Sequence, residues 1–251
     1  MAISSAGLLS GSSAGSIASL YASQGEGGAS ALRRPVEALA RQAEGVKVRL
    51  SAFGQVQSAA ANVQSAARNL QDAKQVSTVA ETKKAAEAFV AAYNNERSAL
   101  ASVTAGSSAG KPAGVLADDG RAQVASSQLQ RTVTDNAAAF RDAGIRIQQD
   151  GSLAVDAKAL EAAYNTNPAA VTQALSNVGR AAEATASRQL SSSGSVGAAV
   201  NNLSNRVQQL ESRQADFQSR ADQSQRAVEA ASRRYGFGAS GPGAYLGIFG
   251  L

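Results

Sequence analysis

The chain has 251 residues, including 24 Lys or Arg and 19 Asp or Glu, which gives a formal net charge of +5. It contains no His and no Cys, so its side chains exclude the usual zinc, haem, iron–sulfur and thiol sites and any Ser–His or Cys–His nucleophile pair. We therefore expect no enzymatic activity and no cofactor. The adjacent carboxylates Asp118 and Asp119 are expected to be solvated or to cap a helix, not to form an acid–base pair.

The apolar content favours long helices that need a partner. Ala occurs 56 times, whereas Leu, Ile, Val and Phe together number 48. Ala-rich stripes bury little area, so they stabilise a broad monomeric core only weakly. The positive charge is spread along the chain without a basic block or interleaved aromatic residues, so we expect no nucleic-acid partner. No stretch is apolar enough for a membrane span, and no basic-plus-apolar start predicts a cleaved signal peptide.

The first predicted elements are a flexible segment and a long helix. Residues 1–31 are rich in Ser, Gly and Ala without sustained periodicity, which predicts flexibility in the isolated chain. A helix is predicted over 32–72, with Pro35 suited to its first turn. Its apolar residues recur every three or four positions and predict one side of a coiled-coil seam, which consists of Val36, Leu39, Val46, Leu50, Phe53, Val63 and Leu70.

An α+β part is predicted over 78–190. Helices are expected over 79–103 and 122–140, with a linker rich in Gly, Ser and Pro between them. The glycines and Lys111 of this linker do not have the spacing of a phosphate-binding loop, so we reject that interpretation.

A change of period from 3.6 to 2 predicts a β-hairpin over 144–156. Asp150-Gly151 is a strong turn signal between two short apolar runs. The side chains predicted to share the apolar face are Ile145, Ile147, Leu153 and Val155. Asp156 and Asn167-Pro168 then predict the starts of two more helices.

The clearest periodicity lies in a helix predicted over 196–234. Its steps of three and four residues predict the second side of the seam, which consists of Val200, Leu203, Val207, Leu210, Phe217 and Val228. We expect this helix to pack antiparallel against the first long helix; the alternative is a surface helix on its own domain. The predicted fold class is mainly α with a small α+β part: long antiparallel coiled-coil helices and a helical domain that carries one hairpin.

The C-terminal residues 235–251 differ in composition from the rest. They are uncharged and rich in Gly, and they contain four aromatic residues, Tyr235, Phe237, Tyr245 and Phe249. One interpretation is a flexible end, and the other is an assembly segment that orders against a neighbouring subunit.

Four stretches, taken in chain order, carry a resemblance to a known family. They are Leu32 to Leu39, Ala88 to Asn94 with its Phe89-Val90 and Tyr93-Asn94 pairs, Gly114 to Asp119, and Gly144 to Val171 with Asp150-Gly151 and Asn167-Pro168. Together they resemble the flagellar filament cap protein family, also called hook-associated protein 2. The family usually has a large insertion before its second helix. Here Asp72 and Glu81 are nine positions apart, which predicts a minimal cap without head domains.

This resemblance implies a structural protein that is exported through the flagellar channel without a cleaved signal. It implies a homo-oligomeric ring outside the cell, at the flagellar tip, that guides flagellin into place and inserts into no membrane. The implied partners are further copies of the chain, flagellin, hook–filament junction proteins and an export chaperone. The alternative hypothesis is a coiled-coil binding module of another secreted or phage-like apparatus.

Overall fold

The structure is a computed structural model that describes residues 13–72, 78–108 and 110–234. Within these ranges the chain forms seven helices and one two-stranded antiparallel sheet. The elements are α1 Ser13–Gln71, α2 Val79–Thr104, α3 Gly120–Asp135, α4 Ala137–Asp142, β1 Ile145–Ile147, β2 Leu153–Val155, α5 Ala157–Thr166, α6 Pro168–Leu190 and α7 Ser195–Arg234. The predicted fold class, mainly α with long packed helices and one hairpin, is confirmed.

The long helices α1 and α7 contribute to two compact units. One unit contains residues 45–207, and the other combines 13–44 with 208–234 among the described residues. The later part of α1 is thus grouped with the start of α7, and the earlier part of α1 with the end of α7.

The start of α1 differs from the prediction. The helix begins at Ser13, and Pro35 lies inside it instead of in its first turn. A proline within a helix removes one backbone hydrogen bond and usually kinks or ends the helix. Here Ala, Leu, Gln, Glu and Arg, which favour helix, are interspersed with Ser and Gly in the preceding residues, and residues 13–44 share a unit with part of α7. Packing on another helix supplies stability that this segment lacks by itself.

The core of the 45–207 unit is built from thin, closely packed helices. Phe89 of α2 and Phe140 of α4 are fully buried, with ring centroids 6.2 Å apart. Phe53 of α1 is also fully buried in the same apolar cluster. At Gly179 of α6, an added Cβ would lie 2.5 Å from the carbonyl oxygen of Ala67 in α1. Glycine at this position therefore permits the close approach of α6 to α1.

Side-chain caps determine where four helices begin. The Thr78 hydroxyl accepts from the Glu81 amide at 3.3 Å, which caps the start of α2, and it donates to the Glu81 carboxylate at 2.8 Å. Asp119 caps α3. Asp156 and Asn167 each accept, at 3.0 Å, from the amide three residues on, so the predicted starts of α5 and α6 are confirmed.

The helix predicted over 122–140 is interrupted at Asn136. This residue lies between α3 and α4 with φ −114° and ψ 20°. Its side-chain amide donates to the Thr132 carbonyl oxygen at 2.8 Å. In a continuing helix, the backbone amide of Asn136 would donate to this same carbonyl oxygen. The Asn136 side chain takes its place, and such competition with the helical backbone is typical of Asn.

The predicted hairpin is confirmed, with part of its apolar face exposed. Ile145 pairs with Val155 and Ile147 with Leu153, and Gly151 has the positive φ, +82°, that its turn requires. Ile145 and Leu153 are buried, whereas Ile147 is 40% exposed. The prediction that all four side chains are covered is therefore wrong for Ile147, which lies at the turn end of its strand.

The hairpin is attached to α2 by side chains of the Tyr93-Asn94 pair. The Asn94 amide group accepts from the Leu153 backbone N–H and donates to the Leu153 carbonyl, both at 2.9 Å. The Tyr93 hydroxyl donates to the Gly151 carbonyl at 3.3 Å. The Asn94 side chain thus forms, with the edge of β2 that faces away from β1, the two backbone hydrogen bonds that a further strand would form.

Candidate assembly surfaces

The predicted seam is only partly buried within the 45–207 unit. On the α1 side Val46, Phe53, Val63 and Leu70 are buried and Leu50 is partly exposed. On the α7 side Val200 and Leu203 are partly buried against the core cluster, and Val207 is partly exposed. The α1 stripe thus belongs to the core of this unit, and the α7 stripe lies at its margin.

In the other unit most seam residues keep some exposure. Leu210 is only 4% exposed, and Ala43 of α1 is equally buried. Val36, Leu39 and Phe217 are partly exposed, while the side chain of Val228 and the four aromatic residues Tyr235, Phe237, Tyr245 and Phe249 lie outside the described part. A half-covered apolar stripe is the kind of surface that further helices can bury.

An open groove of about 1070 Å³ lies within the 45–207 unit. Its walls come from α1, the start of α3, the end of α6 and the start of α7. The buried Phe53 lines it, and Val124 of α3 is 49% exposed there. The groove therefore combines apolar area with the polar side chains of its rim.

Arginines dominate the charge of this groove. Arg49, Arg121, Arg188 and Arg206 line it, against the carboxylates of Asp118 and Asp119. Arg49 forms an ion pair with Asp119, whose side chain is 13% exposed. Arg188 donates to the Thr185 hydroxyl at 3.0 Å.

Three of these arginines form no ion pair with any residue that the structure describes. Among the residues that the structure describes, no carboxylate lies within 4.0 Å of the guanidinium groups of Arg121, Arg188 and Arg206. Because all three are exposed, they can form ion pairs with carboxylates of another molecule.

A buried carboxyl group is a second feature of this unit. Glu96 of α2 is fully buried, and neither of its carboxyl oxygens has a hydrogen-bond partner. It lines a closed cavity of about 10 Å³ with Tyr93, Thr132, Thr185 and Gln189 among others. Burial raises the pKa of Glu96 to about 8 and that of Tyr93 to about 12. Glu96 therefore holds its proton at neutral pH.

Over the described ranges no cluster of three or more metal-ligating side chains occurs. No helix in the described part of the chain has the length and apolarity to cross a membrane. Asp119 serves as a helix cap and ion-pair partner, in agreement with the capping role expected for the Asp118–Asp119 pair.

The groove and the buried carboxyl group were not predicted from the sequence. No single stretch of the sequence could predict the groove, because its arginines come from four different helices. Glu96 has a signal: it takes an apolar position in the rhythm Phe89, Tyr93, Glu96, Leu100 of α2. A carboxylate at such a position is either partnered or shifted in pKa.

Residues 50–234 match the family model described as flagellar hook-associated protein 2 C-terminus. The match includes α2 to α7 and the later part of α1, and so it contains the hairpin, Glu96 and every groove residue except Arg49. A search of curated proteins found no match to the chain.

Proposed function

The chain belongs to the C-terminal family of flagellar hook-associated protein 2, and we propose that it forms a minimal cap at the distal tip of the flagellar filament and guides flagellin polymerisation. Proteins of this family are structural flagellar proteins of the filament tip and not enzymes. The observation that carries the proposal is the match over 50–234, which includes nearly every element of the 45–207 unit.

The short connection between α1 and α2 supports the minimal form of the cap. Only residues 72–78 separate the two helices, so no domain is inserted at this point of the chain. A cap without a domain inserted between α1 and α2 is the minimal form that we propose.

The half-covered helices support assembly into a homo-oligomeric ring. Partly exposed apolar residues occur on both long helices, among them Val36, Leu39, Val207 and Phe217. Burying such residues against neighbouring copies would contribute about 25 cal/mol per Å² of apolar surface.

The other partners that we propose are flagellin, the hook–filament junction proteins and an export chaperone. The working location that we propose is outside the cell, at the flagellar tip.

A deletion strain tests the proposal. Loss of a cap leaves exported flagellin without a guide, so we expect short or absent filaments, loss of swimming and monomeric flagellin in the medium. The measurements are electron microscopy of the cells and immunoblots of the culture supernatant, with a strain complemented by the full chain as control. Normal filaments in the deletion strain would refute the proposal.

A further inference from the structure

We propose that the arginine-lined groove of the 45–207 unit docks an acidic segment of a different flagellar subunit. This inference rests on the proposed function, because that function brings such subunits to the groove. It adds the chemistry of the contact: carboxylates of the partner pair with Arg121, Arg188 and Arg206, while its apolar side chains cover Val124.

The first argument for an acidic occupant is the charge of the groove. The groove has four arginines against two aspartates, and one arginine is already paired with Asp119. The other three come from α3, α6 and α7, so they surround the groove and do not form a row on one helix. Guanidinium groups in this arrangement favour a partner with several carboxylates and repel a basic one.

The chain itself offers no acidic occupant outside the described residues. The segments 1–12, 73–77 and 235–251 contain no Asp or Glu. In a second copy the 24 basic residues outnumber the 19 acidic ones, so its surface matches the charge of this groove less well than an acidic segment does. The complementary occupant is therefore an acidic segment of another polypeptide.

The second argument is the apolar area that is exposed at the groove. Val124 is 49% exposed at the groove, and Leu203 is partly exposed beside the buried Phe53. An occupant that covers these side chains gains hydrophobic stabilisation in addition to ion pairs. An amphipathic helix with carboxylates beside small apolar residues has this chemistry.

Peptide binding to the full chain tests the inference. The probe is the labelled peptide (Glu-Ala-Ala-Ala)4, with (Gln-Ala-Ala-Ala)4 as its neutral counterpart, and the readout is fluorescence anisotropy. We expect the acidic peptide to bind at least about tenfold more tightly than the neutral one and to lose affinity with added salt. The triple variant R121E/R188E/R206E should lose at least about tenfold in affinity.

The control is R131E/R141E/R180E, which makes the same change in net charge at exposed arginines outside the groove. It should bind the acidic peptide within about twofold of the unchanged chain, and thermal melting should show that both triple variants are folded. Equal losses in both variants, or no discrimination between the peptides, would overturn the inference. Sedimentation that shows loss of self-association in the groove variant, with peptide binding retained, would instead assign the groove to a second copy.

Experiments in cells distinguish failure of this inference from failure of the proposed function. We expect the groove variant to be exported and to reach the filament tip but to support only short filaments. If its cells make normal filaments, the docking inference fails while the cap function stands. If the unchanged chain itself is absent from the tip, the proposed function fails.

Discussion

Glu96 shows how one residue sets the pH dependence of a small helical core. Its carboxyl group is fully buried without a hydrogen-bond partner, and burial raises its pKa from 4.5 to about 8. The folded chain therefore keeps a proton that the unfolded chain releases above about pH 4.5. The contribution of Glu96 to the free energy of unfolding is therefore largest below that pH and falls as the pH rises towards 8. Tyr93, with a pKa of about 12, does not titrate in this range.

We predict that Glu96→Gln removes most of this pH dependence. In the unchanged chain the free energy of unfolding should fall by up to ~1.4 kcal/mol per pH unit between pH 4.5 and 8. Urea denaturation at several pH values measures the slope. The control is Glu87→Gln, an exposed change on the same helix, which should keep the slope. Equal slopes for the unchanged chain and Glu96→Gln would contradict the prediction.

Gly151 matters through its backbone conformation alone. Its φ is +82°, whereas an added Cβ would lie at an ordinary 3.6 Å from Arg97 Nε. We predict that Gly151→Val lowers the free energy of unfolding by about 1–2 kcal/mol, because side chains with a Cβ resist the left-handed region. Gly106→Val is the control, since its site has open space and no positive φ. If both variants lose the same stability in urea denaturation, the turn does not require glycine.

At the scale of elements, local signals explain what the sequence could predict. Asp156 and Asn167-Pro168 start helices, and Asp150-Gly151 forms a turn, because each acts on amides only a few residues away. The start of α1 at Ser13 and the break at Asn136 were missed. The start of α1 depends on packing with a distant helix, and the break at Asn136 depends on one side-chain hydrogen bond.

The groove could not be predicted for the same reason. Arg121, Arg188 and Arg206 are ordinary surface residues of their own helices, and only the packing of those helices brings them together. In contrast, Tyr93-Asn94 stood out as a motif in the sequence, and the structure gives it a role in holding β2.

We predict that Leu210→Asp destabilises the unit formed by 13–44 and 208–234. Leu210 is 4% exposed, so the change loses a buried side chain, which costs roughly 2–5 kcal/mol, and places an unpaired carboxylate there. Circular dichroism during heating should show a lower melting temperature. Gln209→Asp is the matched control, because it adds the same charge at the exposed neighbouring position. An unchanged melting temperature for Leu210→Asp would rule out burial of this residue between helices.

At the scale of the whole molecule, the composition favours a chain that completes its buried surface with neighbours. It has 56 Ala but only 48 Leu, Ile, Val and Phe in 251 residues, and several seam residues stay partly exposed. The tail is uncharged and carries Tyr235, Phe237, Tyr245 and Phe249. Ordering such a segment would cost about 1–2 kcal/mol per residue in backbone entropy, and we propose that a partner surface offsets that cost.

We predict that removing the tail after Arg234 leaves the monomer's melting curve nearly unchanged and abolishes higher oligomers or tip binding. Light scattering beside thermal melting measures both properties. A full-length variant with serine at the four aromatic positions separates the effect of these side chains from that of chain length. Unfolding of the truncated monomer, or intact oligomerisation, would show that the tail is not an assembly segment.

Labelling of living filaments tests the central claim most directly, namely that the chain forms a cap at the distal tip. The chain has no cysteine, so Ser107→Cys at an exposed position of the α2–α3 linker gives a single site for a maleimide dye. We predict one fluorescent spot at the distal end of each filament, and none in cells that carry the chain without the new cysteine. Dye along the filament or at its cell-proximal end would contradict the account.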